Sequence, residues 1–264
     1  MVRFSVITVT YNAGEKLKET VTDVLRQTYD NYELIIKDGL STDGSLEQLP
    51  QNDKIRLESS SDRGIYDAMN QAVALAGGDY IIFMNCGDFF YDEDVLKRLA
   101  DKIEANPEKG IYYGDAFFRL SNEVIHMPGA ITDFVCFRHI PCHQACVFAR
   151  ELFGDKGFDL AYRIRADYEF FLRQYYLKNI RPFYTGVVIA DYEGGGFSET
   201  KENRKRDKQE HRKITGMYIP KRKLFGYRFI MAVTLQPLRF WIAQRSPFAG
   251  FYDRIKTKIY GTNK

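Results

Sequence analysis

Tyr80-Ile81-Ile82-Phe83-Met84-Asn85-Cys86-Gly87-Asp88 is the stretch on which the reading of this chain turns. The apolar run Tyr80 to Met84 reads as a strand buried on both faces, and it stops at a glycine turn carrying one carboxylate, Asp88. In an open α/β sheet, ligands bind where the strands reach their carboxyl ends. A carboxylate at that edge can hold a divalent metal, and the metal can hold a diphosphate. The same residues also suit a plain strand-to-loop turn whose Asp caps the next element. The segment alone leaves both readings open.

The residues before it read strand, helix, strand, loop, strand, helix. Phe4 to Thr10 is β-branched and apolar, and Tyr11-Asn12-Ala13-Gly14 turns it into a helix with Leu17, Val21, Val24 and Leu25 on one face. That turn holds one glycine and no G-x-G-x-x-G, which disfavours a nicotinamide enzyme. Tyr32 to Lys37 forms a second strand with Asp38-Gly39 at its end, where an acid can accept from ribose hydroxyls or a base N–H. Asp43, in the turn-rich Leu40 to Ser45, reads as a helix cap or as a site acid. Ile55 to Glu58 is a short third strand. In Asp62-Arg63-Gly64-Ile65-Tyr66-Asp67-Ala68-Met69-Asn70 a helix begins, with Gly64 at its mouth and Asp67 within reach of the sheet edge. Asp38, Asp67 and Asp88 thus gather at one edge of a parallel α/β sheet with right-handed crossovers.

Beyond the opening stretch, a helix follows Asp92-Glu93-Asp94 and a strand runs from Ile111 to Phe118. Residues 126–142 read as irregular, around an acceptor site. His139, Cys142, His143 and Cys146 have zinc-ligand chemistry, but their spacing is poor for a structural site. His143 beside Gln144 reads instead as a polar pair facing the cleft. Asp167 falls in the first turn of a helix continued by Phe171, Leu172 and Tyr175, where N–H donors and the helix dipole keep a carboxylate ionised. An ionised carboxylate is what a general base requires, although an Asp at a helix start is also common. Phe183 to Ala190 is a further strand, and Gly194-Gly195-Gly196-Phe197-Ser198 reads as a mobile lid-like loop.

Composition limits the class. The 264 residues are 45% hydrophobic and 28% charged, ordinary for a folded protein with a sizeable core. The net charge of +3 conceals an asymmetry: residues 201–264 hold 17 Lys/Arg against 4 Asp/Glu, leaving 21 against 31 in residues 1–200. An acidic body with a basic, aromatic tail suggests attraction to an anionic surface. The run Phe229 to Leu235, flanked by Arg228 and Arg239 and followed by Pro237, is too short to span a membrane but suits an interface. An ordinary packed helix with a solvated basic face is the other reading. No nucleic-acid module is evident, so no nucleic acid is expected. Met1 leads into a strand without a signal-like segment, so a cytoplasmic site with its four cysteines reduced is expected.

Taken in order, these motifs resemble the family 2 glycosyltransferases of the GT-A fold, over roughly residues 3–200. The resemblance implies an α/β, Rossmann-like nucleotide-sugar domain with a mostly parallel sheet at 1–200, and a helical basic tail at 201–264. Ser5 to Asn12 looks like the strand that touches the nucleotide through Thr10 and Tyr11, and Asp38 would contact the base or ribose. The segment from Asp62 to Asn70 is similar to the variant found in bacterial polysaccharide transferases. Asn85-Cys86-Gly87-Asp88 stands where the family has Asp-x-Asp, which makes Asp88 the metal-side acid for Mn²⁺ or Mg²⁺. Asp167 stands where the catalytic base lies, in an Ala-Asp version of the usual Glu-Asp pair. The implied reaction inverts the anomeric centre, moving sugar from a nucleotide-sugar, a UDP-sugar by expectation, to a glycan or polyprenyl-linked acceptor. The expected location is the inner face of a membrane. A sugar-phosphate nucleotidylyltransferase would want a Gly-rich basic loop that Tyr11 to Gly14 lacks. A non-catalytic nucleotide-sugar sensor would keep Asp38 and Asp88 without needing Asp167.

Overall fold

In the computed structural model, β1 (Phe4–Thr10) is buried at all seven positions, as its β-branched run requires. It pairs in parallel with β2 (Tyr32–Asp38) on one side and β4 (Tyr80–Phe83) on the other, and β3 (Ile55–Ser59) extends the sheet beyond β2. The crossovers carry α1 (Glu15–Leu25) and α2 (Ile65–Leu75). The structure describes residues 1–154, 156–194 and 203–233, so most of the glycine loop after Gly194 and the aromatic stretch beyond Val233 lie outside the described residues.

The second half adds β5 (Phe89–Phe90), α3 (Val95–Ala105), β6 (Ile111–Phe118), β7 (Glu123–Ile125) and α4 (Asp133–Arg138). It continues with β8 (Cys146–Ala149), α5 (Ala166–Leu177), β9 (Phe183–Tyr192), α6 (Asn203–Tyr218) and α7 (Lys221–Val233). The sheet runs β3-β2-β1-β4-β8-β6-β9-β5, with β7 paired to β6. The expected parallel sheet is present through β3, β2, β1 and β4, and antiparallel pairs enter where β8 inserts between β4 and β6. Because β8 runs against β4, the approach to its first residue lies at the edge where β1, β2 and β4 end. That edge carries the site.

Successive side chains of the strands point to opposite faces, and two cores form accordingly. Ile7, Ile35, Ile81 and Phe83 pack under α2 and α5, while Val6, Leu34, Ile36 and Ile82 pack under α1 and α3. Between β6 and β9 the register shifts around Gly114, where the backbones come so close that a Cβ would lie 2.1 Å from the Val187 carbonyl oxygen. The window read as irregular at 126–142 contains α4, capped by Thr132, whose side-chain oxygen accepts from the Val135 N–H.

The division expected at residue 200 falls outside the described residues. On its far side, α6 buries Glu210, Ile214 and Thr215, and Ile214 joins the core beneath α2 and α5. In contrast, α7 buries Leu224 but leaves Phe225 75% and Phe229 61% exposed. Among the described residues no helix is long and apolar enough to cross a membrane.

Candidate active site

The strand end after β4 is a tight turn. The Asp88 N–H donates to the Asn85 carbonyl at 3.0 Å, and Gly87 in third place has φ +95°, a value other residues adopt only under strain. Thr20 of α1 clasps the turn: its hydroxyl accepts from the Gly87 N–H at 2.9 Å and donates to the Asp88 carbonyl at 3.1 Å. Both Asn85 and Asp88 consequently line a cleft of about 500 Å³, together with Thr10, Tyr11, Tyr66, His143, Gln144 and Asp167. Six of the residues expected from the sequence to bind substrate or metal or to act as base therefore meet in one place: Thr10, Tyr11, Asp88, His143, Gln144 and Asp167.

Residues 143–145 form a single 3₁₀ turn leading into β8 and deliver two adjacent side chains to two carboxylates. Gln144 donates through Nε2 to Asp88 Oδ2 at 2.8 Å, and the Glu193 N–H donates to Asp88 Oδ1 at 3.0 Å. His143 Nδ1 lies 3.2 Å from Asp167 Oδ2, and its Nε2 lies 2.9 Å from Asn85 Nδ2. In neutral His143, the proton belongs on Nδ1, where an acceptor faces it; Nε2 is then bare and takes the Asn85 amide proton. This assignment follows from the hydrogen-bond network. It leaves Asn85 Oδ1 buried without a hydrogen-bond partner among the described residues.

The two carboxylates are tuned in opposite directions. Burial acts to raise Asp167, but the His143 ring, the Tyr66 hydroxyl and the Tyr168 N–H outweigh it and hold the carboxyl below its usual range. Tyr66 Oη lies 2.9 Å from Asp167 Oδ1 and 2.8 Å from the Ile164 carbonyl, one phenolic proton shared between two acceptors. For Asp88 burial prevails, and its carboxyl is pushed above the usual range despite Glu193, Gln144, His143 and Arg119. Groups held apart in this way carry different chemical roles.

A divalent cation fits the Asp88 side of the cleft. Asp88 is a buried carboxylate lacking a full countercharge, and Asn85 Oδ1 is an orphaned neutral oxygen beside it. Two protein oxygens suit a metal that completes its shell with diphosphate and water. Among the described residues no cluster of three His, Cys, Asp or Glu could hold a metal unaided. The zinc ligands weighed from sequence form no such cluster: His143 faces Asp167 and Asn85, and Cys146 lies buried in β8.

Gly64 and Asp67 line an adjoining cavity of about 670 Å³ that shares Thr10, Tyr11 and Tyr66 with the first. The Asp67 carboxylate takes the Arg63 N–H at 2.9 Å and the Arg63 guanidinium at 3.1 Å, so it braces the mouth of α2. Asp38 lies beneath the surface, fully buried. Its oxygens accept from the Leu40 and Ser41 N–H groups and the Ser41 and Ser59 hydroxyls, and these hold the carboxyl below its usual range against burial. Asp43 accepts from the Gly14 N–H at 2.8 Å, tying the loop after β2 to the start of α1. Sequence reasoning missed Tyr66, Asn85 and Glu193 as partners. Tyr66 was visible one residue before Asp67, but its contact with Asp167 spans 101 residues.

The fold has solved counterparts. One is the Staphylococcus aureus protein TarS, solved in complex with UDP-GlcNAc, with TM-score 0.62 at 18% identity over 77% of this chain and 64% of that one. Another is the mannosyltransferase PcManGT from Pyrobaculum calidifontis, in complex with GDP-Man and Mn²⁺, with TM-score 0.58 at 19% identity over 79% of this chain and 61% of that one. This chain therefore spans less than two thirds of either. By sequence it is 36% identical over 205 residues to a PGL/p-HBAD biosynthesis glycosyltransferase of Mycobacterium bovis, covering 75% of this chain and 79% of the relative. Residues 5–190 match the family described as Glycosyl transferase family 2, and because that match runs from β1 into β9, the chain belongs to that family.

Proposed function

We propose that the protein is an inverting, metal-dependent glycosyltransferase that moves a sugar from a nucleotide-sugar, with UDP-sugars first among candidates, to a hydroxyl of a glycan or lipid-linked acceptor in cell-surface polysaccharide synthesis. One observation carries the reading: an acid held ionised, Asp167, shares a cleft with a metal-suited acid, Asp88. Asp167 takes the proton of the acceptor hydroxyl as that oxygen bonds to the anomeric carbon and the bond from this carbon to the diphosphate breaks. A single attack by the acceptor oxygen, opposite the leaving group, inverts the centre. Mn²⁺ or Mg²⁺ held by Asp88 and Asn85 Oδ1 would supply positive charge to the departing diphosphate. His143 keeps Asp167 oriented and, by taking the Asn85 amide proton, fixes that amide so that its unpartnered oxygen would be left for the cation. Tyr11, 68% exposed at the end of β1, offers a ring on which a nucleobase can stack.

The donor class is supported by the UDP-GlcNAc and GDP-Man bound to the two structural counterparts. Membrane contact at the inner face is supported by α7, where exposed Phe225, Phe229, Ile230 and Met231 lie among Lys221, Arg222, Lys223 and Arg228. Screening nucleotide-sugars for thermal stabilisation and slow hydrolysis, with and without Mn²⁺, tests the reading. At least one UDP- or GDP-sugar should stabilise the protein and release its nucleotide only with metal present. A protein indifferent to every nucleotide-sugar would sink it.

A further inference from the structure

Helix α6 begins after the family match ends at residue 190, yet it is built into the active-site wall. Glu210, 7% exposed, accepts from three successive backbone N–H groups: Arg163 at 3.0 Å, Ile164 at 2.9 Å and Arg165 at 2.9 Å. These are the last residues before α5, whose N-cap, Arg165, makes no side-chain capping bond. A carboxylate from a different helix thus does the capping, two residues from Asp167. Asp207 adds a contact to the Arg165 guanidinium at 3.0 Å. Leaving three such amides unmatched would be costly, because each buried unsatisfied donor carries a desolvation penalty.

Glu210 also accepts from Arg206 Nε at 2.9 Å. Arg206 and Arg163 both line the cavity that holds Tyr11, Gly64 and Tyr66, and Arg163 lines the Asp167 cleft as well. Glu210 holds Arg206 through Nε, while Asp207 pairs with Arg165 and Asp67 with Arg63. Arg206 and Arg163 line one groove with the exposed ring of Tyr11, a combination that suits the phosphates and base of a nucleotide.

We propose that Arg206 of α6, set in place by Glu210, contacts the diphosphate of the donor, so that the catalytic unit extends past residue 200 into α6. This rests on the nucleotide-sugar reading of the cleft. It is tested on the full chain by titrating UDP and uridine into the wild type, Arg206→Gln, Arg206→Lys and Lys205→Gln; GDP and guanosine replace them if the wild type prefers those. Lys205 lines a neighbouring hollow on α6 and controls for the loss of one charge. Arg206→Gln should weaken UDP about 10-fold and leave uridine unchanged. Arg206→Lys should recover part of the loss, and Lys205→Gln should stay within about twofold, as a surface charge outside the groove would. Equal losses for UDP and uridine would assign Arg206 a merely structural role and overturn the proposal. Unchanged UDP affinity, or an equal loss in Lys205→Gln, would overturn it too. A wild type that binds no nucleoside diphosphate would overturn the nucleotide-sugar reading itself, an outcome distinct from the others.

Discussion

Asp167→Asn removes one charge and turns one acceptor oxygen into an amide donor without changing shape. Loss of general-base catalysis is worth about 10²- to 10⁴-fold in kcat, or roughly 3–5.5 kcal/mol of barrier. The hydrogen bonds around the residue predict a second effect. Tyr66 and the Tyr168 N–H both donate to Oδ1, so the new amide oxygen stays there and its NH₂ group meets His143 Nδ1. His143 must then carry its proton on Nε2, where Asn85 Nδ2 now opposes it, donor against donor. The Asn85 amide turns over, which puts its nitrogen where the oxygen that would hold the cation had been. Turnover, followed as nucleotide release at saturating donor, should fall by the stated factor. Apparent Mn²⁺ affinity should weaken, while nucleotide affinity measured in EDTA stays within about twofold, since no direct donor contact is lost. A fully active Asn variant would refute the base assignment. Equal collapse of metal-free nucleotide binding would show that Asp167 holds the donor instead.

Three further outcomes are expected. Burial pushes Asp23 up from 3.8 to about 6, so the native state binds its proton more readily than the unfolded chain. The resulting stability is present below about pH 4 and is lost as pH rises through 6, up to about 3 kcal/mol in all. Asp23→Asn, which can still accept from the Phe90 N–H, should match the wild type near pH 4 and exceed it by about 2–3 kcal/mol at pH 8 in urea melts; a pH-independent difference would contradict this. Gly114→Ala forces a methyl against the Val187 carbonyl and should cost about 1–3 kcal/mol, read as a melting temperature several degrees lower. A melt unchanged within one degree, roughly the resolution of the method, would count against the close approach of β6 and β9. Phe225→Glu with Phe229→Glu should abolish sedimentation with anionic vesicles and spare donor hydrolysis; undiminished sedimentation would remove α7 from the membrane contact.

Much of the sheet edge was legible because it depends on local pattern. The apolar β-branched runs of β1, β2 and β4 declare buried parallel strands, and each is followed by its turn residues. Asp88 and Asp167 were legible for the same reason, one closing a strand and the other opening a helix. The partners were not. His143 reaches Asp167 only because β8 inserts antiparallel beside β4, and nothing in Cys146–Ala149 states which strands it joins. Asp38 shows the converse: its position at a strand end suggested a ligand contact, and the structure adds that Ser41 of the following turn and Ser59 at the end of β3 enclose both carboxylate oxygens. The short helix α4 was hidden between Pro128, Gly129 and Pro141, although Thr132 offered a cap. Glu210 sits in a charged run that reads as solvated surface, and only the packing of α6 on α5 reveals it as a cap.

The central claim is single displacement with Asp167 as the base, and the anomer released by the enzyme tests it without any knowledge of the acceptor. With water standing in for the acceptor, ¹H NMR of the sugar freed from an α-linked UDP-sugar such as UDP-GlcNAc, recorded before mutarotation, should show the β anomer first. An α anomer appearing first would mean retention, and a mechanism with one base and one displacement could not stand.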